Sequence, residues 1–364
     1  MRLAFFRLLW FALGAMLALV LLEAVLRLLP VTMGVYRTAQ FDRWPLLGSE
    51  PGQPYANSDG WAMSNAHQGI TNNYGHIAPF DYKKNSRPVV VMGDSFIESL
   101  MNDYKDTLQG QLGRKLGTSA SVYGLGVSGL SASEYVALSR MARDEFNPVA
   151  AIFLITDGDF SESIGPRLGH YFLVPDGNSF KMDYAPIRDQ SGLKKLRMLI
   201  GDLSIYRYFQ VNLQFSLTNI FKVFDQQNPS QLHPVALDKK PDAPQKVADW
   251  LLAELPPALG LPPECIVLLM DSDRYAIYNA QSASPRKDSP KVWQHFITEA
   301  EQLGFKVRDL DHVFRQLYAQ DHVKFDHWPT DRHWNKVGHG VGADEAYRLL
   351  FAEGTPTQRT CKMK

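Results

Sequence analysis

Three residues in this 364-residue chain have the types and setting for nucleophilic chemistry: a serine in Val89 to Ser99 (VVVMGDSFIES), and an aspartate and a histidine in Pro329 to Gly340 (PTDRHWNKVGHG). A serine hydroxyl is a weak nucleophile until a base takes its proton. That base needs an acceptor to hold its other ring nitrogen in the right tautomer. Ser95 supplies the hydroxyl, His333 the imidazole, and Asp331, two residues earlier, the acceptor. The chemistry open to such a set is acyl transfer.

The sequence around Ser95 explains how it would be presented. Val89 to Met92 is apolar and rich in β-branched residues, the composition of a parallel strand covered on both faces. Gly93 permits a tight turn, Asp94 and Ser95 are good helix N-cap residues, and a helix can begin at Phe96. Ser95 therefore stands at a strand-to-helix switch. In open α/β sheets ligands bind outside the carboxyl ends of the strands, where a helix N-terminus offers unpaired N–H groups to an anion.

GDSF near the start and DRHWN…GH near the end together resemble the first and last motif blocks of the SGNH (GDSL-type) hydrolases. More narrowly they resemble the membrane-anchored bacterial branch and the related alginate O-acetyltransferases, in which one residue separates the Asp from the His. The likeness runs from about Asn72 to about Ala346, and Asn72-Asn73-Tyr74-Gly75-His76 is similar to the Asn-x-x-Gly-Arg lead-in of that branch. The resemblance implies an esterase or O-acyltransferase acting on O-acyl groups, acetyl foremost, of an envelope or exported carbohydrate. It also implies Ser95, His333 and Asp331 as the triad, with the backbone N–H groups of Ser95 and Gly126 facing the oxyanion.

The third block departs from the family. Where its members carry Gly-x-Asn-Asp, with the Asn as a further oxyanion donor, this chain has Thr156-Asp157-Gly158-Asp159, so Gly158 takes the Asn position. Loss of one such donor costs on the order of a hundred- to thousandfold in turnover. Either Gly158 or a neighbour serves the oxyanion instead, or the protein is an SGNH-fold carbohydrate-binding or assembly factor with weakened catalysis.

The elements that must position these residues are readable from pattern. Strands are expected at Val89–Met92, Ala120–Tyr123, Val149–Ile155, Cys265–Met270 and Lys306–Leu310, and helices at Leu108–Leu116, Ala132–Arg143, Lys246–Leu255, Val292–Leu303, Val313–Tyr318 and Val337–Phe351. This alternation predicts an α/β fold, a doubly wound parallel sheet of about five strands with helices on both sides. Gly124-x-Gly126-x-x-Gly129 imitates a dinucleotide fingerprint, but Glu145 falls at a helix end and not at the tip of a following strand. A helix pair, Leu193–Phe209 and Val211–Phe224, is expected within an insertion over 161–262, where substrate selection would reside.

Residues 1–30 differ in kind. Leu8 to Leu22 carries no charged side chain, and the apolar run suits a transmembrane anchor more than a cleaved signal peptide, for want of a small-x-small cleavage site. Arg2 and Arg7 favour an N-terminus in the cytoplasm, which would leave the main domain extracytoplasmic, periplasmic in a Gram-negative cell. The expected order is then anchor 1–30, spacer and lead-in 31–86, catalytic domain 87–352 and polar tail 353–364. Lysine plus arginine balance aspartate plus glutamate, 38 against 38, so no nucleic-acid partner is expected; the partners are the membrane, through the helix, and an ester or carbohydrate substrate. Two cysteines, Cys265 and Cys361, form no framework, and the sequence leaves open whether they pair. His322, His327, His333 and His339 crowd one segment with Asp321, Asp326 and Asp331, but they lack the i, i+4 pairing of a helical zinc motif, so neither metal nor cofactor is expected.

Overall fold

Apolar runs that are hydrophobic on both faces must be sandwiched, and this requirement organises the chain. The computed structural model describes residues 2–35, 37–40, 43–177, 179–186, 200–215, 242–279, 287–327, 329, 331–351 and 361. Five parallel strands form its main sheet: β1 (Val89–Gly93), β2 (Val122–Gly126), β3 (Ala150–Ile155), β4 (Ile266–Met270) and β5 (Lys306–Asp309), in the spatial order β5-β4-β3-β1-β2. The first four are buried at every position; β5, at one edge, carries Lys306, Arg308 and Asp309 and is partly exposed. Charges on an edge strand protect it from pairing with another chain. The order is that of a doubly wound sheet with its switch point between β1 and β3.

Alternate residues of each strand enter opposite cores. Val90, Met92, Phe153, Ile155, Leu268 and Met270 pack with α4 (Ala132–Phe146), α5 (Ala243–Leu259) and α6 (Pro290–Gln302). Val89, Val91, Ile152, Leu154, Val267 and Leu269 pack on the other face with α3 (Leu108–Leu116), α7 (Leu310–Asp321) and α8 (Lys336–Phe351). Between β1 and α3 lies α2 (Ser95–Glu98), a single turn that the left-handed Ser99 (φ 52°) terminates. Several expected boundaries shift. The second strand runs later than the expected Ala120–Tyr123, because Gly124 and Gly126 are strand residues, and α5 extends through Pro256 and Pro257 to a left-handed Gly260.

Two compact units share the chain, and they cut across the expected domain order. One comprises 1–35, 54–69 and 188–228; the other comprises 36–53, 70–187 and 229–364 and contains the sheet. The lead-in is thus divided between the two. Of the expected insertion, the hairpin Tyr171–Asp176/Ser179–Tyr184 and α5 belong with the sheet. The first unit holds α1 (Arg2–Arg27), the hairpin Pro54–Asp59/Ser64–Ile70 as far as Gly69, and a short helix Ser204–Arg207 that widens into a π turn over Tyr208–Asn212. The rest of the expected helix pair, including Phe224, lies outside the described residues.

Cys265, just before β4, is bonded to Cys361, with their Cα atoms 5.6 Å apart. A crosslink between residues 96 apart in sequence constrains the unfolded chain and stabilises the fold by about 2–4 kcal/mol. Non-reducing peptide mapping should recover a Cys265–Cys361 peptide pair, and the C265A/C361A double variant should lose stability of that order in denaturant unfolding.

Candidate active site

Ser95 is positioned by Asp94. One carboxylate oxygen of Asp94 caps α2 by accepting the Phe96 N–H at 2.9 Å; the other accepts the Thr156 hydroxyl at 3.0 Å. Thr156 follows β3, so this one side chain links the carboxyl ends of β1 and β3 at the switch point. As first residue of the helix, Ser95 has an N–H with no intrahelical acceptor.

His333 arrives from the far end of the chain. Its Nε2 lies 2.7 Å from Ser95 Oγ and its Nδ1 2.6 Å from Asp331 Oδ1. The same carboxylate oxygen accepts the His333 backbone N–H at 3.0 Å. A carboxylate at Nδ1 makes that nitrogen the donor and leaves Nε2 as the acceptor facing the serine hydroxyl. The next two residues hold the loop. Trp334 is wholly buried and donates its indole N–H to Asp271 at 2.9 Å, while Asn335 caps α8 through the Val337 and Gly338 N–H groups and donates to the Lys324 and Asp326 carbonyls. Phe96 packs on the His333 ring at 4.8 Å between centroids.

Desolvation alone would make His333 less basic, but the Asp331 hydrogen bond and charge, aided by the Asp94 charge, outweigh it and raise its pKa above the ordinary value of 6.5. Desolvation would likewise raise Asp331; its hydrogen bond to His333 and that ring's charge reverse the effect and hold it below the usual carboxylate range. Asp94 is pushed up to about 6, by desolvation first and by the Asp271 charge in the same sense, against the opposing Phe96 and Thr156 hydrogen bonds. Beside the triad a cavity of about 300 Å³ is lined by charged groups, among them Asp94, Asp157, Asp271, Arg274, Lys287 and Arg332.

The remaining histidines of the segment are engaged separately. His339 is buried, accepts the Leu108 N–H at 3.1 Å and lies 3.0 Å from Ser99 Oγ, and desolvation lowers it to about 3. His327 lies 3.3 Å from Asn102 Oδ1, and Asp326 pairs with Arg274. Among the described residues no three His, Cys, Asp or Glu side chains converge as a cation site. The Asn72–His76 lead-in covers the exposed edge of β2: Asn72 accepts the Tyr74 and His76 N–H groups, and burial lowers His76 to about 4 against an opposing hydrogen bond with the Gly126 backbone. Sequence reasoning missed Thr156, Asp271, Arg274 and Asp288 as supports of the site. Their only signal was position, at or beyond the carboxyl ends of β3 and β4, where the sheet gathers polar side chains.

Two expected oxyanion donors are corrected. Gly126 pairs in register with Gly93, and the bond to β1 is made by the next residue, Val127 N–H to the Gly93 carbonyl at 3.3 Å. Gly124 exchanges hydrogen bonds with the Tyr82 hydroxyl on the outer edge of β2, and strand alternation points Gly126 the same way, away from β1. What requires glycine at 126 is close packing: a Cβ would lie 2.1 Å from the Glu98 nitrogen. Gly158 N–H is already donated to buried Asp288 at 3.0 Å. Gly158 also has φ of +105°, and a Cβ there would lie 2.9 Å from Lys287 Cδ and 3.0 Å from Glu162 Oε1. Gly158→Asn should therefore lose about 1–3 kcal/mol in thermal unfolding and should not gain turnover of an activated ester. A stable variant with faster turnover would restore the donor role.

No family model and no curated protein matches this chain. Among solved structures it is similar to an α/β hydrolase enzyme from the metagenome of Lake Arreo, Spain, at 15% identity over 75% of this chain and 99% of that one, with a TM-score of 0.39. It is also similar to a member of the lipolytic protein G-D-S-L family from Veillonella parvula DSM 2008, at 9% identity over 73% and 98% of the two chains, TM-score 0.35. A third is a two-domain esterase active on acetylated mannans, co-crystallized with mannopentaose, at 10% identity over 72% and 48%, TM-score 0.32. These likenesses are distant, and the chemistry open to this chain is read from its own site.

Proposed function

We propose that this protein is a serine esterase or O-acyltransferase, and the observation that carries the reading is the hydrogen-bonded chain Ser95–His333–Asp331. Ser95 Oγ attacks an ester carbonyl while its proton passes to His333 Nε2. The imidazolium, stabilised by Asp331, returns the proton to the leaving alcohol, and water or an acceptor hydroxyl then takes the acyl group from Ser95 by the same relay. The Ser95 N–H, at the open end of α2, contributes to holding the oxyanion.

The proposed substrate is an O-acyl group, acetyl foremost, on an envelope or exported carbohydrate. A cavity edged by both carboxylates and cations suits a polyhydroxylated molecule, whose hydroxyls donate to the first and accept from the second. The proposed setting is extracytoplasmic behind α1 as a membrane anchor. It is supported by the length and apolar character of Leu3–Arg27 and by the Cys265–Cys361 disulfide, which suits an oxidising compartment. One observation favours a second reading, a carbohydrate-binding or assembly factor with weak turnover: the Gly158 N–H is committed to Asp288.

Labelling by a fluorophosphonate and hydrolysis of p-nitrophenyl acetate separate these readings. Ser95→Ala and His333→Ala should each abolish both, and the double variant should be little worse than either, because residues acting as one unit are strongly non-additive. Saccharide binding without labelling would select the second reading.

The acid limb of kcat/KM tests the relay. His333 must be neutral to act as a base, and its pKa is raised, so activity should fall as pH drops through a midpoint above 6.5. Asp331→Asn removes the carboxylate and leaves desolvation dominant, so the midpoint should move down while the rate falls by roughly 10⁴-fold. An unmoved midpoint would detach Asp331 from the relay.

A further inference from the structure

The segment Ile200–Phe215 has two unlike sides. Its polar groups are satisfied within its own unit: Asn212 accepts the Thr32 N–H at 3.0 Å and donates to Ser58 Oγ at 2.9 Å, Tyr208 donates its hydroxyl to the Trp61 carbonyl at 2.9 Å, and Arg207 pairs with Asp202 at 2.8 Å. Its apolar side is open. Leu203, Phe209 and Phe215 are 40%, 41% and 49% exposed, and with Met16, Leu19 and Val20 of α1 they line a groove of about 690 Å³.

Glu23 fixes this arrangement. Its carboxylate accepts the N–H groups of Ser204 and Ile205 at 3.0 and 2.9 Å and also pairs with Arg27 at 2.8 Å. The groove thus lies along the C-terminal half of α1, beginning at Met16, about 10 Å before Glu23 at the helical rise. A spanning segment needs roughly 20 apolar residues, and Met16, Leu19 and Val20 belong to that run. Lipid around the run would therefore adjoin the groove along its α1 side.

We propose that Ile200–Phe215 is a second membrane-contacting element, lying in the interface beside the C-terminal end of α1 with its apolar side chains among the acyl chains of one leaflet. The inference rests on the reading of α1 as a retained span. It has the composition of an interfacial helix, with aromatic and aliphatic groups on one side and polar groups on the other. It also gives Glu23 a role that cleavage after α1 would abolish, since the Ser204 and Ile205 N–H groups would lose their acceptor.

The full-length protein, reconstituted in phosphatidylcholine vesicles, carries the test. Both native cysteines are paired, so a single spin label can be attached at L13C, L203C, F209C or Q302C, with an intact disulfide and an unchanged thermal transition required of each variant. Power saturation compares collisions with oxygen, which partitions into lipid, and with a water-soluble nickel chelate. Labels at Leu13, Leu203 and Phe209 should favour oxygen, and the label at Gln302, exposed on the sheet-bearing unit, should favour nickel. Oxygen preference at Leu13 with nickel preference at both Leu203 and Phe209 would overturn the second element and leave the anchor standing. Nickel preference at Leu13 as well would overturn the anchor and the inference together. Labels at Leu203 and Phe209 shielded from both reagents would mean that protein covers the groove, and would also overturn the proposal.

Discussion

The Asp94 carboxylate is the constraint on which the site depends. A parallel strand buried on both faces cannot expose its own polar groups, so chemistry must begin where the strand stops. Asp94 makes that stop abrupt by capping α2 with one oxygen and binding the Thr156 hydroxyl with the other. The first bond orients the turn that carries Ser95. The second holds the ends of β1 and β3 together where the winding of the sheet reverses. Desolvation pushes this carboxyl up to about 6, against the two hydrogen bonds that favour its charged form.

His333 solves a different problem, since it comes from 238 residues further along the chain. Its orientation is nevertheless local. With one residue between Asp331 and His333, a single carboxylate oxygen binds both the ring and the backbone N–H of the histidine, so the orientation of the ring is set within three residues. The unit is docked by Trp334, whose indole reaches Asp271 at the end of β4, and by Asn335, which closes the loop onto α8. Arg274 extends the same network. It is buried, pairs with Asp271 and Asp326, donates to the Arg332 carbonyl at 2.8 Å, and lies over the Phe96 ring.

What was legible in the sequence was what local chemistry dictates. The apolar run before Gly93, the capping character of Asp94 and the Asp331–His333 spacing each carry their consequence within a few residues, and the strand–helix alternation implied the winding. Gly126 was misjudged because its donor direction depends on strand phase, which the outer-edge bonds of Gly124 reveal and a glycine in a pattern does not. Gly158 was misjudged because its partner, Asp288, is 130 positions away. The pairing of Cys361 with Cys265 was equally non-local.

The carboxylates around the site bear unequally on the two charges that acyl transfer creates. Asp331 and Asp94 both favour the imidazolium form of His333, which helps the proton leave Ser95. The same negative charge opposes an oxyanion nearby, where donors are needed and where the Gly158 N–H is already taken by Asp288. The N-terminus of α2 acts in the opposite sense to the carboxylates, since the Ser95 N–H has no acceptor within the helix and the turn carries partial positive charge at that end. In the proposed reaction, deprotonation of the serine is thus the better supported step, and the balance between hydrolysis and transfer turns on how quickly an incoming hydroxyl reaches the acyl group on Ser95.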